Sequence, residues 1–290
     1  MTGLGLLLDR FVGEPPVELH PVGAFGRLMQ RVEGSIYADA RPPGVWYTGA
    51  GVALGFLAGR ACPPAVAVGT VVAGRELRSA ATRVRDALVA HDVERARDQV
   101  TALVGRDPER LDERALAAAV IESLAENTVD AVVAPVWWAL VAGAGAAAAY
   151  RAVNTMDAMV GHRSARYERF GWASARLDDL ANYVPARLTA GLTSLVRPAR
   201  AALVGRAVRE HAPAHPSPNA GVAEAAFAAV LGVELGGPLR YAGRLEARPR
   251  LGWGPRPTVP DIDRALALAS HVELALLGLV ACLFAASRPR

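Results

Sequence analysis

The chain reads as an all-α, polytopic integral membrane protein with water-exposed helical segments. Three observations point there. The composition is 52% hydrophobic with a mean hydropathy of +0.21, which shifts 290 residues away from the soluble two-domain expectation. Tracts 45–73, 131–150 and 265–286 are apolar, each close to the roughly 20 residues that cross a hydrocarbon core. No stretch convincingly alternates apolar and polar residues at the period of a half-buried strand. One membrane-embedded helical domain, 1–290, is expected, and buried helices of an Ala-rich soluble protein are the competing reading.

Residues 1–8 are too short for a secretory signal and lack a cationic start, so insertion is expected to rely on later helices. His20-Pro21 follows a turn-rich stretch, Asp9-Arg-Phe-Val-Gly-Glu-Pro-Pro. Tract 45–73 is apolar except for Arg60 and is interrupted at Cys62-Pro-Pro64, and Trp46-Tyr47 and Trp137-Trp138 suit an interfacial belt. Segment 75–128 is expected as a water-exposed helical insert, with a break at Gly105-Arg-Asp-Pro108 and charges on solvated faces. Tract 131–150 is uncharged. Segment 183–204, a fourth membrane candidate, contains Arg187, Arg197 and Arg200 and reads as amphipathic or cavity-lining. A Pro-rich connector, 212–218, precedes an Ala-rich helix at 220–231. Leu235-Gly-Gly-Pro238 and the Arg/Pro/Gly-rich stretch 240–260 form a loop leading to Asp261, a first-turn residue of the last helix. Tract 265–286 carries only His271 and Glu273 as titratable or charged side chains besides Cys282.

All 32 basic residues are Arg. Without Lys, Schiff-base catalysis and a P-loop lysine are excluded, and any bound phosphate must be met by Arg, backbone amides or a metal. The net charge of +4 is modest and no basic helix is interleaved with aromatics, so nucleic acid is not an expected partner. Cys62 and Cys282 both lie in apolar tracts, which excludes a disulfide framework or a zinc cluster.

Four polar clusters stand out against this apolar background. In Glu122-Ser-Leu-Ala-Glu126-Asn127-Thr-Val-Asp130, three carboxylates at i, i+4 and i+8 share one helix face and run into an apolar tract, where ionised groups need cations, metals or a polar cavity. Arg151-Ala-Val-Asn154-Thr-Met-Asp157 aligns a cation, an amide and a carboxylate. Asp178-Asp179 with Asn182, followed by Arg187, supplies hard oxygen ligands of the kind Mg²⁺ takes, although adjacent aspartates also suit a solvated helix face. Ser217-Pro-Asn219-Ala-Gly221 enters a helix whose amides could hold an anion, or forms only a cap and turn. The four together ask for one shared cavity.

These residues, in this order, resemble the adenosylcobinamide-phosphate synthase family of cobalamin biosynthesis. The resemblance spans nearly the whole chain. It is carried by Leu-Leu-Asp9-Arg-Phe-Val-Gly13-Glu-Pro with His20-Pro21-Val; Glu122 to Asp130; Tyr150-Arg-Ala-Val-Asn-Thr-Met-Asp157-Ala-Met-Val-Gly161; Tyr167-Glu-Arg-Phe-Gly-Trp172 through Asp179 to Arg187; Ser217-Pro-Asn-Ala-Gly221; and Leu235-Gly-Gly-Pro238. The longer apolar helix with which the family begins is reduced here to residues 1–8, which leaves the number and orientation of spans open.

The resemblance implies a multi-pass enzyme of the cell (inner) membrane that uses ATP and Mg²⁺. It would attach (R)-1-amino-2-propanol O-2-phosphate, or a similar amino-alcohol phosphate, to adenosylcobyric acid, an adenosylcorrinoid substrate. Self-association or association with other corrinoid-pathway membrane proteins is also expected. On that reading Glu126, Asp130 and Asp157 are the candidate catalytic carboxylates, and Asp178 and Asp179 are the candidate metal ligands. Asn127, Asn154, Asn182, Arg187, Ser217 and Asn219 are the candidate binding residues. Which carboxylate does which job stays open.

A straight helix over 131–150 would hold Asp130 and Arg151 about 30 Å apart, so either Pro135 or Gly143/Gly145 breaks the segment or one of the two clusters serves structure or partner binding, and a bent or partly embedded segment is the favoured expectation. The alternatives are a non-catalytic membrane scaffold for corrinoid intermediates, which would consume no ATP, and a Mg²⁺-diphosphate prenyl-type transferase. The adjacency of Asp178 and Asp179 does not fit the second, whose aspartates are separated by two or three residues.

Overall fold

The structure, a computed structural model, describes residues 1–13, 20–104, 108–109, 111–162, 164–237, 239–241, 244–246 and 248–286. It is built almost wholly of helices. Where one domain was expected, the chain divides into two compact units, Met1–Arg75 with Asp130–Pro185 and Glu76–Val129 with Ala186–Arg290.

The first unit contains α1 (Thr2–Phe11), α2 (Pro21–Ile36), α3 (Arg41–Ala61), α4 (Pro64–Val71), α8 (Ala134–Met156) and α9 (Trp172–Ala181). His20 starts α2, its Nδ1 accepting from Val22 N at 3.2 Å ahead of Pro21, a place where proline's missing N–H costs nothing. The main seam is α3 on α8. Gly55 and Gly59, one turn apart on α3, meet α8 so closely that a Cβ at Gly55 would stand 2.8 Å from Ala152 Cβ. One at Gly59 would stand 2.6 Å from Ala148 Cβ. Small residues at four-residue spacing let the two backbones approach, as in membrane helix pairs.

The second unit contains α5 (Gly74–Val89), α6 (Val93–Val100), α7 (Glu113–Thr128), α11 (Ala201–Glu210), α12 (Ala220–Leu231) and α13 (Val259–Ala286), with most of α10 (Tyr183–Val196). Asp92 and Asp112 cap α6 and α7, accepting from Arg95 N at 3.0 Å and Ala115 N at 2.8 Å. The expected water-exposed insert 75–128 is only partly exposed. The α5 and α6 helices keep charged outer faces, but every residue of α7 from Leu116 to Ala125 is buried. A helix that is apolar nearly all round belongs in a core, and α7 packs there with the equally buried α12 and with α13.

One sequence expectation is corrected here. The 235–260 stretch is not all loop, since β1 (Leu235–Gly236) pairs antiparallel with β4 (Arg250–Leu251), and β2 (Leu239–Tyr241) with β3 (Arg244–Glu246). Of the four membrane segments, two coincide with helices long and apolar enough to cross a bilayer among the described residues, within Glu113–Gly161 and Val259–Ala286. Segment 45–73 is split at Cys62-Pro63 into α3 and α4, and α3 alone falls short in apolar character. Segment 183–204 is split by a 3₁₀ turn, Pro198–Arg200. In both places proline withholds a helix N–H. The break expected at 105–108 falls largely outside the described residues, as do Glu14 to Pro16 and Pro238 of the quoted motifs.

Candidate functional site

Tract 131–150 is bent. Inside α8, Gly143 adopts φ 83° and ψ −179°, a conformation essentially confined to glycine. As a result the Tyr150 hydroxyl lies 3.3 Å from the Asp130 carbonyl oxygen, where a straight helix would hold the two ends about 30 Å apart. Two π-helical turns flank the segment, Val129–Val133 before it and Asp157–Gly161 after it. Such turns insert an extra residue and are frequent at functional sites.

The bend assembles a polar cluster within the first unit. Asp178 on α9 accepts from Asn154 Nδ2 at 3.3 Å through one carboxylate oxygen and from Asn182 Nδ2 at 3.0 Å through the other. Because the carboxylate only accepts, the Asn182 amide must present its Nδ2 to it and its Oδ1 elsewhere. That Oδ1 accepts from the buried Tyr150 hydroxyl at 2.8 Å. Arg151 Nη1 donates to Asn154 Oδ1 at 3.3 Å. Asp130 and Asp178 both act electrostatically on the Tyr150 hydroxyl. Trp138 Nε1 closes one wall on the Ala181 carbonyl at 3.1 Å. The chain thus brings Asp130, Asn154, Asp178 and Asn182 together.

Other nominated residues stand apart. Asp179 points to Arg176, Nη1 to Oδ2 3.6 Å, because neighbours on a helix project about a third of a turn apart. Asp157 opens its π-turn with its carboxylate against Gly161, where a Cβ would come within 1.8 Å of Oδ1. Glu122 and Glu126 keep their four-residue spacing within α7, and Asp130 departs from it. Glu122 is buried and accepts from Gly236 N at 2.8 Å, Glu126 is exposed, and Asp130 lies in the π-turn, out of α-helical register. Asn127 Nδ2 donates back to Ser123, at 3.0 Å to the carbonyl and 3.1 Å to Oγ.

In the second unit Arg187, Ser217 and Asn219 do meet. Arg187 donates from Nη1 to Asn219 Oδ1 at 3.0 Å and from Nη2 to the Pro218 carbonyl at 3.2 Å. Ser217 Oγ accepts from the amides of Asn219 and Ala220, each at 3.2 Å. The hydroxyl therefore caps α12, and the guanidinium braces the loop. Beside them His215 and Glu224 form a buried pair, Nε2 to Oε1 3.7 Å.

Sequence reasoning missed Tyr150, His215 and Glu224 as members of these clusters. Tyr150 stood in a quoted motif, and only the bend at Gly143 shows what its hydroxyl reaches. Nothing in the local spacing announced the His215–Glu224 pair.

Among the described residues no group of three or more His, Cys, Asp or Glu converges as a metal site. The first unit's donors still fit Mg²⁺ of the kind held by one or two carboxylates plus substrate phosphate oxygens. Asp178 is the carboxylate held in this cluster, with Asp130 acting on the same Tyr150 hydroxyl.

The sequence model of the CobD/Cbib protein family matches residues 2–269. The chain belongs to that family. Relatives of this CobD/Cbib protein include "Cobalamin biosynthesis protein CobD" of Mycobacterium tuberculosis (strain ATCC 25618 / H37Rv), 44% identical over 302 residues that cover 99% of this chain and 96% of the relative. The protein of the same name from Chromobacterium violaceum is 45% identical, with 92% and 91% covered. That from Halalkalibacterium halodurans is 37% identical, with 93% and 92% covered. No solved structure matches the CobD/Cbib chain.

Proposed function

We propose that this CobD/Cbib protein serves cobalamin biosynthesis as a membrane-bound, ATP-dependent acid–amine ligase. The pathway role follows from the family and from the name its relatives carry. The reaction is the finer step, in which an amino-alcohol phosphate is joined to the propionate carboxyl of adenosylcobyric acid. The observation that supports it best is the network in which Asn154 and Asn182 donate to the Asp178 carboxylate and the buried Tyr150 hydroxyl donates to Asn182, beside the Asp130 carbonyl oxygen.

A carboxylate does not acylate an amine unaided. In the proposed course its oxygen takes the terminal phosphoryl group of ATP, giving an acyl phosphate and ADP. The amine then attacks the acyl carbon, forming the amide and releasing phosphate. One of Glu126, Asp130 or Asp157 accepts the proton that the ammonium gives up. Asp178 and Asp130 are the residues that would hold Mg²⁺, which when bound would neutralise phosphate charge. Asn154 and Asn182 orient Asp178 by donating to both of its oxygens. Arg187 presents the Ser217–Asn219 loop, and these residues are assigned to the phosphate of the small substrate.

Asp178→Asn tests the assignment. Turnover should fall by about 10²–10³-fold, the scale of losing one preorganised electrostatic group, while the variant keeps the helical circular dichroism of the wild type. Unchanged turnover would return Asp178 to a purely structural role.

A further inference from the structure

An apolar cavity of about 410 Å³ lies within the first unit, between α2, α3, α4 and α8. That is within the size range of small-molecule pockets. Its α3–α8 wall is the Gly55/Gly59 seam, and its mouth is formed by Leu28, Leu54 and Val66, all exposed. Such a mouth faces a hydrocarbon environment more readily than water. Of its lining side chains only Thr70, Thr155, Cys62 and Arg151 carry polar atoms.

Arg151 gives the cavity its chemistry. Its Nε is buried without a hydrogen-bond partner and its Nη1 meets the neutral Asn154 amide, so among the described residues it makes no direct ion pair. Pro21 and Val22, the first turn of the 16-residue α2, line the same cavity and add the partial positive charge of a helix N-terminus. The guanidinium field reaches His20, which is held below its ordinary pKa by burial first and by Arg151 second. The cavity is thus apolar with cationic groups in its wall and no anionic side chain lining it. A corrinoid fringed with amides and carboxylates would leave many polar groups unpaired there. An alkyl chain ending in an anion satisfies both parts.

We propose that this cavity is a binding site for an anionic membrane phospholipid, with one acyl chain between α2, α3 and α8 and its phosphate on Arg151. The inference stands independently of the ligation chemistry, because it can be read without nucleotide or corrinoid.

The test uses full-length protein purified from detergent micelles containing equal amounts of phosphatidylglycerol and phosphatidylethanolamine, with retained lipid counted by native mass spectrometry. Wild type should retain phosphatidylglycerol in preference. Arg151→Gln should lower that preference by about tenfold, through loss of a charge-assisted contact, and Ala58→Phe, at an exposed lining position, should lower retention of both lipids. Equal retention of the two lipids by wild type, or unchanged retention in both variants, would overturn the proposal. Should a variant fail to fold, wild type photolabelled with a diazirine-bearing acyl phosphatidylglycerol decides the matter. Adducts on 21–36 and 41–61 are expected, and adducts confined to other segments would refute it.

Discussion

Replacing Gly143 with Ala decides whether tract 131–150 is bent, and it does so by the sign of the effect. Gly143 is exposed, and a Cβ built on it meets no atom within 4 Å, so the substitution adds no clash. What it adds is torsional. At φ 83° and ψ −179° an alanine is strained by about 1–3 kcal/mol. In a straight helix the same change would instead stabilise by about 1 kcal/mol, because glycine is the poorer helix former. Gly49→Ala in α3 supplies the reference, since Gly49 is also exposed, helical and free of neighbours within 4 Å of a new Cβ. Thermal unfolding of the purified variants in one detergent should show Gly143→Ala melting roughly 2–8 °C below wild type and Gly49→Ala melting at or above it. If Gly143→Ala rises in parallel with Gly49→Ala, the bend is absent. The approach of Tyr150 to Asp130 would then go with it.

Arg187→Lys keeps the charge but cannot hold both Asn219 Oδ1 and the Pro218 carbonyl. The Michaelis constant for the amino-alcohol phosphate should rise roughly tenfold or more with little change in that for the corrinoid, and equal losses on both would count against a dedicated phosphate loop. Stability should also depend on pH through His20. Its folded pKa lies below the ordinary 6.5, so the unfolded chain takes up that proton first; the stabilisation is intact above about pH 6.5 and declines as pH falls from there towards the folded pKa. Comparing melting temperatures of wild type and His20→Asn, which keeps a capping acceptor, should show a shallower decline in the variant, and identical profiles would remove His20 as the cause.

The helical class was legible because it rests on composition and on the lack of strand alternation, which neighbours do not alter. The bend at Gly143 was legible as the favoured of two answers to the distance a straight helix would impose, the other being a separate role for one cluster, and the sequence did not distinguish Gly143 from Pro135 or Gly145. The burial of α7 was misread because its end charges, Glu113, Arg114 and Glu126, resemble those of a solvated helix. Only the Ala-rich run between them, packed against α12, reveals a core. Asp130 left the face that Glu122 and Glu126 keep for a local reason, a π-turn that regular helical spacing does not foresee. Asp178 and Asp179 looked like a pair in sequence, and the packing of α9 sends one to Asn154 and Asn182 and the other to Arg176.

The central claim is that this chain makes an amide bond at the expense of ATP. Purified protein in detergent, supplied with Mg²⁺, ATP, adenosylcobyric acid and (R)-1-amino-2-propanol O-2-phosphate, should be followed by mass spectrometry of the corrinoid and by release of ADP. The account predicts adenosylcobinamide phosphate and ADP in equal amounts, with neither formed when the amine is omitted and adenosylcobyric acid is replaced by a corrinoid lacking the free carboxyl. An unaltered corrinoid and no ATP consumption, from protein shown to be folded, would contradict it and favour a scaffold for corrinoid intermediates.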